Sequence, residues 1–382
     1  MQQKIAIKAA LISALAFALS MVLMQPFAAS ATALFSSPEK NDFTLSDFYT
    51  MTADGRAVAH LDDNIVIVNI DRSDRDDIAR TLDLLGLCGP AAIGLDVVFA
   101  DEREGDEDLL SALARTPNLV QPLTMVPDSA SIDTFRIIEA SYFYTSDSTG
   151  IYASSALPAK FAHGMVREFR PGFITRTDGK VDGFAAALAK ITDPEAAEVL
   201  ESRGRKLETI SFHSRRFRVY EPEEIMDNAA EINGRTVLIG AMSEPGDLHA
   251  TPVNSAMPGV MIHAHALATV LDGDYLSTPP RWVHLLLAFA LCYIIIYMAL
   301  KNTTKTKGLM LRITQVACVL ALVQTGYWLF VRHNVVFDTS NALLMVMFGL
   351  FAADIWLGVE GLIERAVQAR AKAKPKKQNS SN

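Results

Sequence analysis

Three long apolar stretches follow one another in the last third of the chain, at residues 282–300, 313–330 and 342–363. At a rise of about 1.5 Å per residue, each is long enough as a helix to cross a hydrocarbon core about 30 Å thick. The chain therefore reads as a membrane protein. The link at 301–312 carries Lys301, Lys305, Lys307 and Arg312 and no acid, and the segment after 363 carries six basic residues against Glu364. Cationic loops stay in the cytoplasm, which orients all three spans and places everything before residue 282 outside.

The charge is partitioned along the chain. Residues 34–281 hold 39 acidic and 22 basic side chains, a net of −17, against −8 for the whole chain. An acidic outer domain lacks the electrostatic footprint of a nucleic-acid binder and attracts small cations or basic partners instead. Of the three cysteines, Cys292 and Cys318 lie in the spans and Cys88 has no mate outside them. A packed core, not disulfides, must then hold this domain.

Lys4 and Lys8 precede the apolar run at 9–24, which suits an uncleaved anchor or a signal peptide cut at Ala29-Ser-Ala31 or Ala31-Thr-Ala33. A β-branched run at 64–70 reads as a buried strand ending at Asp71. A helix capped by Ser73 or Asp74 follows, with Ile78, Leu82 and Leu85 as its apolar stripe. Strands at 92–99 and 118–124 and a helix at 106–115 complete a strand–helix–strand–helix–strand unit, hence a mostly parallel three-layer α/β domain. Further on we expect a helix at 183–191, a hairpin of 207–212 with 216–220 around Ser214, a strand at 235–241 and a helix at 260–271. About ten residues, stiffened by Pro279-Pro280, join that helix to the first closing span. The expected division is an N-terminal anchor or signal peptide at 1–33, an outer domain at 34–281, three spans at 282–363 and a basic cytoplasmic tail at 364–382.

This ordering resembles a known family. The run 65–71, Ala91-Ala-Ile-Gly-Leu-Asp-Val-Val-Phe99, Thr177-Asp-Gly, Gly234-Arg-Thr-Val-Leu-Ile-Gly240, Asp247 with Thr251-Pro252, and Pro258-Gly-Val-Met-Ile-His-Ala264 are similar to the second class of CHASE domain. The resemblance implies an extracytoplasmic sensory module in the cytoplasmic (inner) membrane of a bacterial cell. Members usually continue into a cyclase, kinase or phosphodiesterase. Here residue 363 is followed by a basic tail, so the expected output is a separate signalling partner protein.

Asp71, Asp96 and Asp101 fall at the ends of expected parallel strands, the edge where open α/β sheets bind ligands. Together they suit a divalent cation; the bland alternative is that Asp71 caps its helix and Asp96 bonds to loop amides. Asp247, His249, His263 and His265 are expected near the same edge, although His263 and His265, two apart on a helix, cannot chelate one ion. A phosphate ligand conflicts with the four carboxylates of 71–77, and no HExxH, GxSxG or Walker spacing occurs. No cofactor is expected.

Asp354 lies near mid-depth of the last span, where a carboxylate needs a partner or a proton. Gln315, Gln324 or a basic residue of another subunit in a homo-oligomer are the candidates, with Gly349, Gly358 and Gly361 allowing close helix approach. Three functions remain on the sequence alone: a receptor for a small ligand or cation, a docking subunit of an envelope complex, and a metal-dependent hydrolase using the three aspartates.

Overall fold

The chain begins with an apolar helix, α1 (Gln2–Phe35), and a shorter one, α2 (Leu45–Arg56). The structure is a computed structural model that describes residues 2–35, 45–56, 60–128, 131–144, 150–158, 164–176, 179–212, 215–301, 305–337 and 340–373. Thr177, Asp178 and Ser214 lie outside these residues. The chain divides into two compact units, one of Met1–Ser36 with Thr278–Asn382 and one of Ser37–Ser277.

In the second unit, β1 (His60–Asn69) leads to α3 (Arg75–Cys88), β2 (Ala92–Leu95), α4 (Asp106–Arg115), β3 (Leu119–Asp128) and β4 (Ser131–Ala140). Next come β5 (Ile151–Ser154), the two-residue β6 (Glu168–Phe169), β7 (Gly172–Ile174), β8 (Lys180–Asp182), α5 (Phe184–Thr192) and α6 (Pro194–Ser202). The unit closes with β9 (Glu208–Thr209), β10 (Arg215–Tyr220), α7 (Ala229–Ile232), β11 (Thr236–Gly240), β12 (Leu248–His249), β13 (Met257–Pro258) and α8 (Gly259–Leu271).

The central sheet runs β10-β1-β11-β2-β3-β4, with β5 also on β3. All its pairings are parallel except β3 with β4. Period-two alternation along β1 feeds two separate cores. Ile65 and Ile67 join one beneath α5, α6 and α8, while Val66 and Val68 join another beneath α3 and α4. Three layers follow from that alternation. Gly94 in β2 lets α5 approach: a Cβ there would lie 2.9 Å from Leu188 and 3.0 Å from Phe184.

Local chemistry fixes α3. Asp74 caps it in a capping box with Asp77, and Gly89, at φ 68°, ends it in the left-handed region. The expected 207–220 hairpin is not formed. β9 pairs antiparallel with β6, and β10 joins the sheet edge parallel to β1. Alternation marks a strand without naming its partner; here Ile210, Phe212 and Phe217 all enter the core under α8, which draws the two arms apart. β2 is shorter than expected, its pairing with β11 ending at Leu95.

The other unit contains α1 with α9 (Arg281–Lys301), α10 (Lys305–His333) and α11 (Ser340–Ala373). Each is long and apolar enough to cross a membrane. Ala9, Ile12 and Ala16 of α1 pack with Ala288, Cys292 and Ile296 of α9 and with Ala342, Met345, Ala352 and Ala353 of α11. Small residues at such seams bring helices close. Gly349 of α11 meets Cys292, whose sulfur lies 2.8 Å from where a Cβ would sit, whereas Gly358 and Gly361 face open space.

Candidate functional site

The carboxyl ends of β1, β11 and β2 form one edge of the sheet, and β11 separates the strands that lead to Asp71 and Asp96. Strands spaced about 4.8 Å apart put those two positions about 10 Å from each other. They serve different purposes.

Asp71 accepts hydrogen bonds from the backbone N–H of Met242 (2.8 Å) and Ser243 (2.9 Å) and from Ser243 Oγ (2.7 Å). Burial alone would push its carboxyl up, but these bonds, with one from Asn69, outweigh it and hold the pKa below the ordinary value. It therefore ties the β1–α3 turn to the loop after β11. The capping role belongs to Asp74, three residues nearer the helix. Asp71 also lines an open cavity of about 560 Å³ shared with Asp77, Glu221, Glu223, Arg72 and Arg80.

Asp96 follows the last residue of β2, its N–H still bonded to Ile239 O at 2.8 Å. Its side chain, 12 % exposed, lies against α8, where the buried His263 has its Nε2 3.8 Å from Asp96 Oδ2. Burial, reinforced by Asp247 and opposed by His249, pushes the Asp96 carboxyl up to about 7. Burial pushes the His263 imidazole down to about 4, and its ring packs on Phe184 with centroids 5.0 Å apart. Two groups that would attract one another if charged are both kept neutral at mild acidity. Asp247 and His249 form the outer half of the site, 3.2 Å apart. The turn from β12 to β13 sets Asp247 against Gly259 at the start of α8, so close that any Cβ there would collide with the carboxylate.

Four of the expected residues thus converge, Asp96, Asp247, His249 and His263. His265 does not: it points into the core between Phe212 (5.2 Å) and Phe217 (5.0 Å). Asp101 is also elsewhere. It is exposed, and its backbone carbonyl accepts from Arg75, whose guanidinium pairs with Asp106 and sits over Phe99 at 5.3 Å. Because β2 ends at Leu95, six residues of loop carry Asp101 away from the edge. No cluster of three or more His, Cys, Asp or Glu suited to hold a metal ion occurs among the described residues.

In the helical unit, Asp354 pairs with Arg312 (3.1 Å), a residue expected in the loop but carried on α10. Gln315, one of the candidates, approaches Arg312 (3.3 Å) and donates to the carbonyls of Val346 (2.9 Å) and Met347 (3.2 Å). Gln324 lies more than two turns further along α10 and does not reach this position. Lys8 of α1 pairs with Glu360 of α11, which sequence reading missed. Both carboxylates sit on the same helix with cations from different neighbours.

The family model of the CHASE2 domain matches residues 17–299, while comparison with curated proteins and with solved structures gave no match. The match takes in the second half of α1, the whole second unit and α9 up to residue 299. With most of its length under that model, its mostly parallel α/β unit and its four apolar helices, this chain belongs to the CHASE2 family of extracytoplasmic sensory domains.

Proposed function

We propose that this protein is a multi-pass receptor of the cytoplasmic membrane, its α/β unit outside and its tail inside, and that its input is read at the Asp96–Asp247–His249–His263 site. The observation that carries this reading is the packing of the largely covered Asp96 against the buried His263 of α8, the helix that leads through residues 272–280 into α9. Strongly perturbed groups at a sheet's carboxyl edge favour a functional role over a packing one. Ionisation of Asp96 places a charge beneath α8 beside a second carboxylate, which the fold accommodates by taking up a proton, engaging a small cationic ligand or moving the helix. Pro279 and Pro280 limit slack between α8 and α9. The output passes to a separate signalling partner at the membrane helices, a homo-oligomer being one form such an assembly takes. Any input must favour one arrangement of α8 over another, since equal binding shifts nothing.

The test uses the full chain with Cys88, Cys292 and Cys318 changed to alanine and spin labels at Leu286→Cys and Leu320→Cys, exposed positions on α9 and α10. The label-to-label distance is expected to shift between about pH 5 and pH 8, bracketing the Asp96 titration near 7. Asp96→Asn is expected to hold it at the acid value. Identical distances at both pH values would sink the reading.

A further inference from the structure

A second concave surface lies at the amino ends of β3 and β5, the opposite edge of the sheet from Asp96. Its volume is about 510 Å³, within the range of small-molecule sites. It exists because the helix layer stops short of the last strand. α3 and α4 cover one face over β1, β11, β2 and the start of β3, and no residue of β5 joins that core. Register sets Gln121 of β3 beside Tyr152 of β5. Their neighbours Val120 and Ala153 enter the core on the α5–α8 face, so alternation turns Gln121 and Tyr152 to the α4 face, where both line the cavity.

The walls are apolar and partly open. Leu110 is 38 % exposed and Ile151 42 %, with Phe143 and the Tyr152 ring, itself packed on Tyr144 at 4.8 Å, beside them. No Asp, Glu, Lys, Arg or His is among the described lining residues, although residues 34–281 hold 39 acidic and 22 basic side chains. Thr116 Oγ1 and Asn118 Nδ2 are engaged by the carbonyls of Ala112 (2.7 Å) and Ala91 (3.0 Å). Gln121 differs: it is 7 % exposed, and its amide has no hydrogen-bond partner among the described residues. Gly150 leaves that amide uncovered, since a Cβ there would lie 3.2 Å from Gln121 Nε2 and 2.9 Å from the Tyr152 ring. A buried amide is unfavourable until a partner supplies both a donor and an acceptor.

We propose that this cavity binds a small uncharged planar molecule that carries an N–H and a C=O side by side, as a lactam or an aromatic carboxamide does. The polar edge of the molecule meets the Gln121 amide, whose oxygen accepts from the N–H and whose NH₂ donates to the C=O. Its apolar body lies among Leu110, Phe143, Ile151 and Tyr152. The uncharged lining disfavours an ion, which would lose its hydration there without gaining a counter-charge. The site shares no residue with the Asp96 cluster, and binding to it is measured without any signalling output.

The probe is 2-quinolone, with N-methyl-2-quinolone, which lacks the N–H, as its control. Each is titrated calorimetrically into the full chain in nanodiscs, with the heat of protein-free nanodiscs subtracted. The wild type is expected to bind the probe about tenfold more tightly than the methylated control. Gln121→Leu is expected to remove that preference. Unchanged melting of this variant shows that its fold is intact; where it melts lower, Gly150→Ala, whose methyl group crowds the amide from outside the strand, makes the same test. No binding of the probe, equal binding of the methylated analogue by the wild type, or an undiminished preference in the variants would each overturn the proposal.

Discussion

Asp96 and His263 hold protons in opposite senses, which gives their neighbourhood a testable dependence on pH. An unfolded chain releases the Asp96 proton near pH 3.8, whereas the folded domain keeps it to about 7, so this group's contribution to stability declines as pH rises through that window. His263 gains its proton near 6.5 when unfolded and only near about 4 when folded, so its contribution is lost as pH falls. From about pH 4 to 6.5 the two slopes oppose one another. Asp96→Asn is expected to leave stability climbing with pH by up to about 1.4 kcal/mol per unit, and His263→Asn to leave it falling at a similar slope. Thermal midpoints across this range check both, and parallel profiles for the wild type and the two variants would remove the assignment. Asp71→Ala removes the acceptor of three bonds to the loop after β11. At an exposed position that is expected to cost about 1 kcal/mol in the same measurement. The place of Asp96 at the sheet edge was legible in the sequence from the short apolar strand expected to carry it. Its partnership with His263 was less so, because only the crossover of α8 brings residue 263 over β2. Asp101 was misread because strand length fixes where an edge residue lands, and β2 is a short strand.

At the scale of elements, the helices of the membrane unit offer a contrast between glycines on one helix. Gly349 sits against Cys292, and Gly358 meets nothing within 4 Å. Gly349→Leu is expected to separate α9 from α11 and to lower stability by about 1–3 kcal/mol, the usual range for overpacking. Gly358→Leu is expected to be close to neutral, and melting of the purified protein in detergent compares them. The long apolar helices, α3 with its cap and α4 were readable because their signals are local: periodicity, an N-cap and, for α3, a left-handed glycine at its end. The stretch 125–180 was not. There β4 carries Arg136 and Glu139 among its apolar residues and pairs with β3 and, by a single bridge, with Thr175, while β6, β7 and β8 are two or three residues long. Such strands take their form from distant partners, which no short window of sequence contains. Arg312 was assigned to a loop for a related reason, since a helix that continues past its apolar run hides its true beginning.

For the whole molecule, the two ion pairs on α11 bear on how the helices are threaded. Lys8 near the start of α1 meets Glu360, and Arg312 near the start of α10 meets Asp354. With α10 antiparallel to α11, both pairs fall toward the same end of the helical unit, the end that the proposed orientation puts in the cytoplasm. Reporters fused at Asn302 and at Asn382 are therefore expected to remain cytoplasmic, and export of either would reverse the orientation. Finally, α8 carries two imidazoles with unlike surroundings, His263 against Phe184 and Asp96, His265 between Phe212 and Phe217. A roll of this helix about its own axis would swing both rings past aromatic neighbours, whereas a slide along it would disturb them unequally. The chain thus comes equipped with a native pair of spectroscopic reporters, and nitrogen-15 labelling of its histidines would distinguish the two motions without adding a foreign probe.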